Sequence, residues 1–127
     1  QAIDHTPSMH WPEPVIAIEP DPDRGPVIVT VEYRVRREDR SEFLEALHAV
    51  SRVRRRDGAM QWGVYQDVAD PERFVEQYVV ESWAEHMRQH ERVTQADRAL
   101  EEHVHAFHRG TERPAVGHMI YADRRDF

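Results

Sequence analysis

Residues 27–35 read Val-Ile-Val-Thr-Val-Glu-Tyr-Arg-Val, an unbroken alternation of apolar and mixed side chains. Val27, Val29, Val31, Tyr33 and Val35 fall on one side, and Ile28, Thr30, Glu32 and Arg34 on the other. A β-strand turns successive side chains to opposite faces, and β-branched residues suit its pleated surface. The segment is therefore a half-buried strand. Such a strand can neither satisfy its backbone nor hide its valines alone, so the chain must supply partner strands and a covering layer.

The pattern that follows supplies both. Residues 38–56 carry Phe43, Leu44, Leu47, Val50 and Val53 at helical spacing. Acids lie early in this stretch and arginines late, as the helix dipole favours, and Asp57-Gly58 stops it. The basic run Arg52, Arg54, Arg55 and Arg56 reads as the solvated end of the helix. Residues 60–67 (Trp62, Val64, Tyr65) and 73–80 (Phe74, Val75, Tyr78, Val79, Val80) read as strands, joined by a turn-rich connection into an antiparallel hairpin.

Ser82-Trp83-Ala84-Glu85 has the spacing of a capping box. It opens a helix with Trp83, Met87, His90 and Val93 on one face. Thr94-Gln95-Ala96-Asp97 repeats the cap, so this second helix is expected to break near Thr94 and restart on a stripe of Ala96, Leu100, Val104 and Phe107. The paired acids Glu101 and Glu102 are read as solvating charge on an exposed face. Residues 115–121 form the last strand, with Val116, Met119, Ile120 and Tyr121.

The order β-α-β-β-α-β is the ferredoxin-like α+β pattern. Its helices cover one sheet face and leave the other open. Pairing with a second copy is the simplest way to bury that face, so a homodimer through the sheet faces is expected.

Residues 1–25 hold five of the eight prolines. Proline fixes its own backbone and pushes its predecessor towards extended geometry, so this stretch is expected to be an arm or tether. Residues 15–18 offer a short edge strand within it, and Trp11 an anchor. The domain proper spans 26–122, and 123–127 is a charged, frayed tail.

Composition narrows the function. A net charge of −7 argues against nucleic-acid binding. There is no cysteine, hence no thiol chemistry. No apolar run approaches the roughly 20 residues of a membrane span, and no signal peptide is expected from a start that is polar and proline-rich. The chain begins at Gln1 rather than Met and is expected to be a fragment of a longer protein.

The strand 27–33, the helical Phe43-Leu44-Glu45-Ala46 and the run Glu81-Ser82-Trp83-Ala84-Glu85-His86 resemble the antibiotic biosynthesis monooxygenase-like superfamily. That resemblance covers about residues 26–122 and implies the dimeric α+β barrel fold. A narrower likeness spans nearly the whole chain. His10-Trp11-Pro12-Glu13-Pro14, Arg54-Arg55-Arg56-Asp57-Gly58-Ala59 and residues 81–94 are similar to the C-terminal soluble extension of bacterial major facilitator superfamily exporters of the enterobactin-exporter type. This implies a domain tethered to transporter helices at the cytoplasmic face of the membrane.

Chemistry-bearing residues are few. Nine histidines invite a metal, but His86 and His90, four apart on one helix face, have no third ligand at local spacing. No metal and no cofactor is expected. Trp62, Tyr65, Tyr78 and Trp83 are aromatic at strand and helix positions where they either line a pocket or fill the core. Trp62, Tyr78 and Trp83, with Met87 and His90, make up the candidate pocket for a small aromatic ligand. Catalytic candidates are His90 as a proton shuttle, Trp62 and Tyr65.

The monooxygenases of the resembling superfamily use Asn, Trp, Tyr and Arg around their substrate, and this chain has no Asn. The preferred expectation is a noncatalytic regulatory, dimerisation or ligand-sensing domain of an exporter. A cofactor-independent monooxygenase acting on an aromatic polyketide or quinol, and a metal- or haem-binding module, remain the alternatives.

Overall fold

A computed structural model describes residue 17 and residues 20–124, with His90 described by its backbone alone. The strand β1 is Val27–Arg34, and its burial alternates as the sequence does. A short 3-10 turn, Arg37–Asp39, leads into helix α1, Arg40–Arg56. Strands β2 (Met60–Gln66) and β3 (Arg73–Val80) form the hairpin. Helix α2 is Trp83–Arg92, helix α3 is Gln95–His105, and β4 is Ala115–Ile120. The sheet is antiparallel throughout, in the order β2-β3-β1-β4. This is the ferredoxin-like β-α-β-β-α-β arrangement, with the second helix broken at Thr94. The break is chemical: the Thr94 side chain accepts from the Asp97 backbone N–H, and the Asp97 carboxylate accepts from the Thr94 N–H. The edge strand expected at residues 15–18 and the Trp11 anchor lie outside the described residues, apart from Ala17.

The inward face of β1 packs with Phe43, Leu47 and Val50 of α1, Phe74 of β3 and Val104 of α3. A second cluster, nearer α2, joins Val27, Val29, Tyr78, Val80 and Trp83. The opposite sheet face carries Ile28, Val75 and Val79, with Met60, Tyr65 and Met119 well exposed.

One irregularity decides which side chains enter the core. Met60 pairs with Val79 and Gly63 with Gln77, so Gln61 and Trp62 together face the single residue Tyr78. Gln61 has φ 52°, left-handed backbone that is costly for a residue with a Cβ. A bulge of this kind adds one residue and flips the strand's alternation. Met60 points outward, and the bulge lets Trp62 point inward two residues later. Downstream the alternation resumes with Val64 inward and Tyr65 outward.

Two contacts outside the sheet fasten its ends. Past the end of α3, His108 Nδ1 accepts from the Arg34 backbone N–H at 2.9 Å, and the Arg109 N–H donates to the Arg34 carbonyl at 2.8 Å. The β1–β4 pairing runs only from Val27 to Glu32, so this segment completes the edge of β1 beyond it. At the other end, residues 20–25 lie against the start of α2. The Trp83 N–H donates to the Arg24 carbonyl at 2.7 Å, and the Ala84 N–H to the Pro22 carbonyl at 2.9 Å. These are first-turn donors with no intrahelical acceptor. The approach is close enough that a Cβ on Gly25 would sit 2.1 Å from the Glu81 carbonyl oxygen.

Candidate functional site

Strand alternation places Glu76 between Phe74 and Tyr78 on the inward face of β3, where it is fully buried. A carboxylate there requires donors from every side, and four are in place. Tyr33 OH donates to Oε1 at 3.1 Å, and Trp62 Nε1 donates to Oε2 at 2.8 Å. Arg54 Nε reaches Oε2 at 3.1 Å and its Nη2 reaches Oε1 at 3.4 Å. Arg54 also stands over the Tyr78 ring, 5.3 Å from its centroid. Its remaining arm, Nη1, donates to Oε1 of Glu101 on α3 at 2.7 Å.

Arg54 and Glu101 overturn two expectations. Arg54 is 7% exposed and Glu101 3%, whereas both were expected in solvent. Arg54 lies four residues after Val50 and seven after Leu47, on the buried stripe of α1. The stripe of α3 is rotated from the expected one. Asp97, Glu101 and Val104 face inward, and Leu100 is exposed. Two ion pairs cause the rotation: Arg54 draws in Glu101, and Arg56 draws in Asp97 with Nη2 to Oδ2 at 2.7 Å. Each acid buried here is in hydrogen-bond contact with a guanidinium, Arg54 serving two of them.

Two carboxylates share one guanidinium, and their ionisation is uneven. Burial pushes the Glu101 carboxyl up to about 7, with Arg54 opposing the rise and the negative charge of Glu76 adding to it. Burial likewise raises the Tyr33 and Tyr78 hydroxyls, so both stay protonated donors. Asp97 is pushed up by burial but ends below the ordinary carboxylate range, because Arg56 and the Thr94 N–H hold its charged form.

The candidate pocket residues divide between several places. Trp62 and Tyr78 meet at the Glu76–Arg54 cluster, and Trp83 packs beside Tyr78 in the second cluster. Tyr65 lies on the opposite sheet face and is 59% exposed, so it shares no site with Trp62. An odd spacing on a strand puts the two on opposite sides. Met87 is turned outward on α2. The side chain of His90 lies outside the described residues. Tyr78 lines a cavity of about 10 Å³ with Arg54, Asp57, Gln89 and Glu101, room for roughly one water.

A second polar feature sits under α2. His86 is fully buried and its ring meets that of His118 on β4, centroids 4.7 Å apart, edge to face. Trp83 borders both, at 5.3 Å and 6.4 Å. Burial lowers the His118 imidazole from its usual value, so it stays neutral at pH 7. Among the described residues no group of three or more His, Asp or Glu side chains is placed to share a metal ion.

Glu76, Arg54 and Glu101 were absent from the sequence-based candidates, though Glu76 was findable. It occupies an inward phase of a strand whose other inward residues are Phe74, Tyr78 and Val80, and a charge in that phase needs a partner. His118 alternates inward with Val116 and Ile120 in the same way.

Known proteins share the fold, and one family matches the chain by sequence. A family described as transmembrane secretion effector matches residues 1–126. No curated protein matches the chain. Solved structures of the same fold include a conserved protein from Methanosarcina mazei Go1, with 15% identity and TM-score 0.64, covering 79% of this chain and 96% of that one. A protein from Bordetella bronchiseptica assigned as an antibiotic biosynthesis monooxygenase matches with 15% identity and TM-score 0.64, over 78% of this chain and 99% of that one. A protein of like assignment from Caulobacter crescentus CB15 has 11% identity and TM-score 0.65, over 80% and 93%. At these identities the likeness is one of fold. Among the described residues no helix is long and apolar enough to cross a membrane.

Proposed function

The chain belongs to the transmembrane secretion effector family, and from that premise we propose that it is the noncatalytic, extramembrane module of an exporter, acting through dimerisation. The exporter is of the major facilitator type, and the module sits at the cytoplasmic face of the membrane. The observation that carries this reading is the outward sheet face, where Met60, Tyr65 and Met119 stand exposed beside Ile28, Val75 and Val79. The apolar side chains form two patches on this face, Met60–Val79–Ile28–Met119 and Tyr65–Val75, with Gly63, Gln77, Thr30 and Gly117 between them, and exposed apolar patches of this kind support an interaction surface. A second copy of the same face supplies a twofold, self-complementary partner.

A catalytic reading is less well supported. The Trp62 N–H is already bound to Glu76, Tyr65 is on the other face, and the cavity beside Tyr78 is too small for an aromatic substrate. A ligand-sensing role at Trp62 and Tyr78 would need that cavity to open.

The test is sedimentation of the chain over a range of concentrations, beside a Tyr65→Lys/Met119→Lys variant. The wild type is expected to run as a dimer and the variant as a protomer, with unchanged circular dichroism. A wild type that stays a protomer at every concentration overturns the proposal. An identical dimer from the variant moves the interface away from the sheet.

A further inference from the structure

Arg54 offers one positive charge to two buried carboxylates on different elements, β3 and α3. If both were ionised, the cluster would carry an uncompensated negative charge out of water, which is strongly disfavoured. The hydrogen bonds decide which carboxylate takes a proton. Glu76 accepts from four donors, two on each oxygen, and is fully provided for as an anion. Among the described residues Glu101 accepts from Arg54 alone, on Oε1. Its other oxygen is left to carry a proton beside the small cavity that Glu101 helps to line, which has room for about one water.

We propose that Glu101 is a proton-binding residue and that the Glu76–Arg54–Glu101 cluster is a proton-operated latch: Glu101 holds a proton while α3 is docked on α1 and releases it to water when α3 lifts. No bond other than O–H breaks, and the proton passes to solvent.

The groups surrounding Glu101 agree with this direction. Arg54 of α1 is already committed to Glu76. Arg56, also of α1, is held by Asp57 and Asp97. On α3, Asp97 adds negative charge, as does Glu76 on β3. The hydroxyls of Tyr33 on β1 and Tyr78 on β3 are neutral. From α2, the amide of Gln89 and the guanidinium of Arg92 both donate to the Asp57 carbonyl.

The folded carboxyl is raised from 4.5 to about 7 by burial. The docked state therefore binds more protons than the open one between those values. The contribution of Glu101 to docking is full below pH 4.5 and weakens as pH rises towards 7. Between pH 5 and pH 8 the equilibrium for lifting α3 is expected to rise roughly 50- to 100-fold, from that linkage.

The experiment is amide hydrogen exchange on the 127-residue chain from pH 5 to pH 8, with protection factors read along α3, for the wild type and Glu101→Gln. Glutamine keeps the shape of the protonated acid and cannot ionise. Relative to the variant, protection of α3 in the wild type is expected to fall as pH rises. Equal pH dependence in both overturns the latch. A side-chain carbon NMR titration of Glu101 in the wild type gives an answer should the variant fold poorly. A midpoint near neutrality supports the latch, and one in the ordinary carboxylate range ends it.

Discussion

The imidazole of His108 stands in for a strand partner of Arg34: Nδ1 accepts the backbone N–H of Arg34 at 2.9 Å, where β4 no longer pairs with β1. The bond fixes the tautomer, because the accepting nitrogen must be unprotonated. His108→Ala is expected to cost about 1–2 kcal/mol, the usual penalty for stranding a part-buried donor, and to speed exchange of the Arg34 amide. Urea denaturation and amide exchange check the two effects.

The same contact gives a pH dependence with a definite sign. Burial lowers the His108 imidazole below its usual 6.5. The unfolded chain takes up the proton near 6.5, and the folded chain only at lower pH. Stability from this contact is therefore present above about pH 6.5 and lost as pH falls through the folded value. Wild type and His108→Ala are expected to converge in stability towards pH 5, measured as urea midpoints across that range.

Glu76→Gln removes the charge on which Arg54, Tyr33 and Trp62 converge. An amide has one acceptor oxygen for donors that used two, and Arg54 is left facing Glu101, which must give up its proton to act as counterion. A loss of about 3 kcal/mol is expected, the scale of breaking a buried ion pair. Tyr33→Phe removes one neutral hydrogen bond and is expected to cost about 1 kcal/mol. Denaturant titration of both variants checks the order.

The left-handed backbone at Gln61 predicts that Gln61→Gly is neutral or stabilising, by up to about 1 kcal/mol, because glycine adopts that geometry without a Cβ clash. Gln61→Val is expected to destabilise and to disturb Trp62, since the bulge is what turns the indole inward. Thermal melts, with the Trp62 indole proton followed by NMR, check both.

A side chain at Gly25 has no room, its Cβ lying 2.1 Å from the Glu81 carbonyl oxygen. Gly25→Ala is therefore expected to push residues 20–25 off α2 and expose the Trp83 and Ala84 amides, bonded to Arg24 and Pro22. Faster exchange at those two amides, with β3 unchanged, is the measurement.

Most of the architecture was legible because it follows from periodicity and capping. The valines of β1, the cap at Ser82 and the capping box at Thr94 each announce themselves within a few residues. The buried ionic cluster was not, because hydrophobicity counting assigns Arg54 and Glu101 to water. Only the meeting of β3, α1 and α3 shows that each meets the other's charge. The odd spacing of Trp62 and Tyr65 already separates them on a strand; what was not legible is the bulge at Gln61, which has no composition signal and sets which of the two turns inward. Glu76 lay in view, as an acid in an inward strand phase.

Residues 20–25 end their course on the first turn of α2, through carbonyls that the helix needs. Displacing this segment would therefore uncover two amides of the helix that carries His86, while the ladders of the sheet use none of these carbonyls.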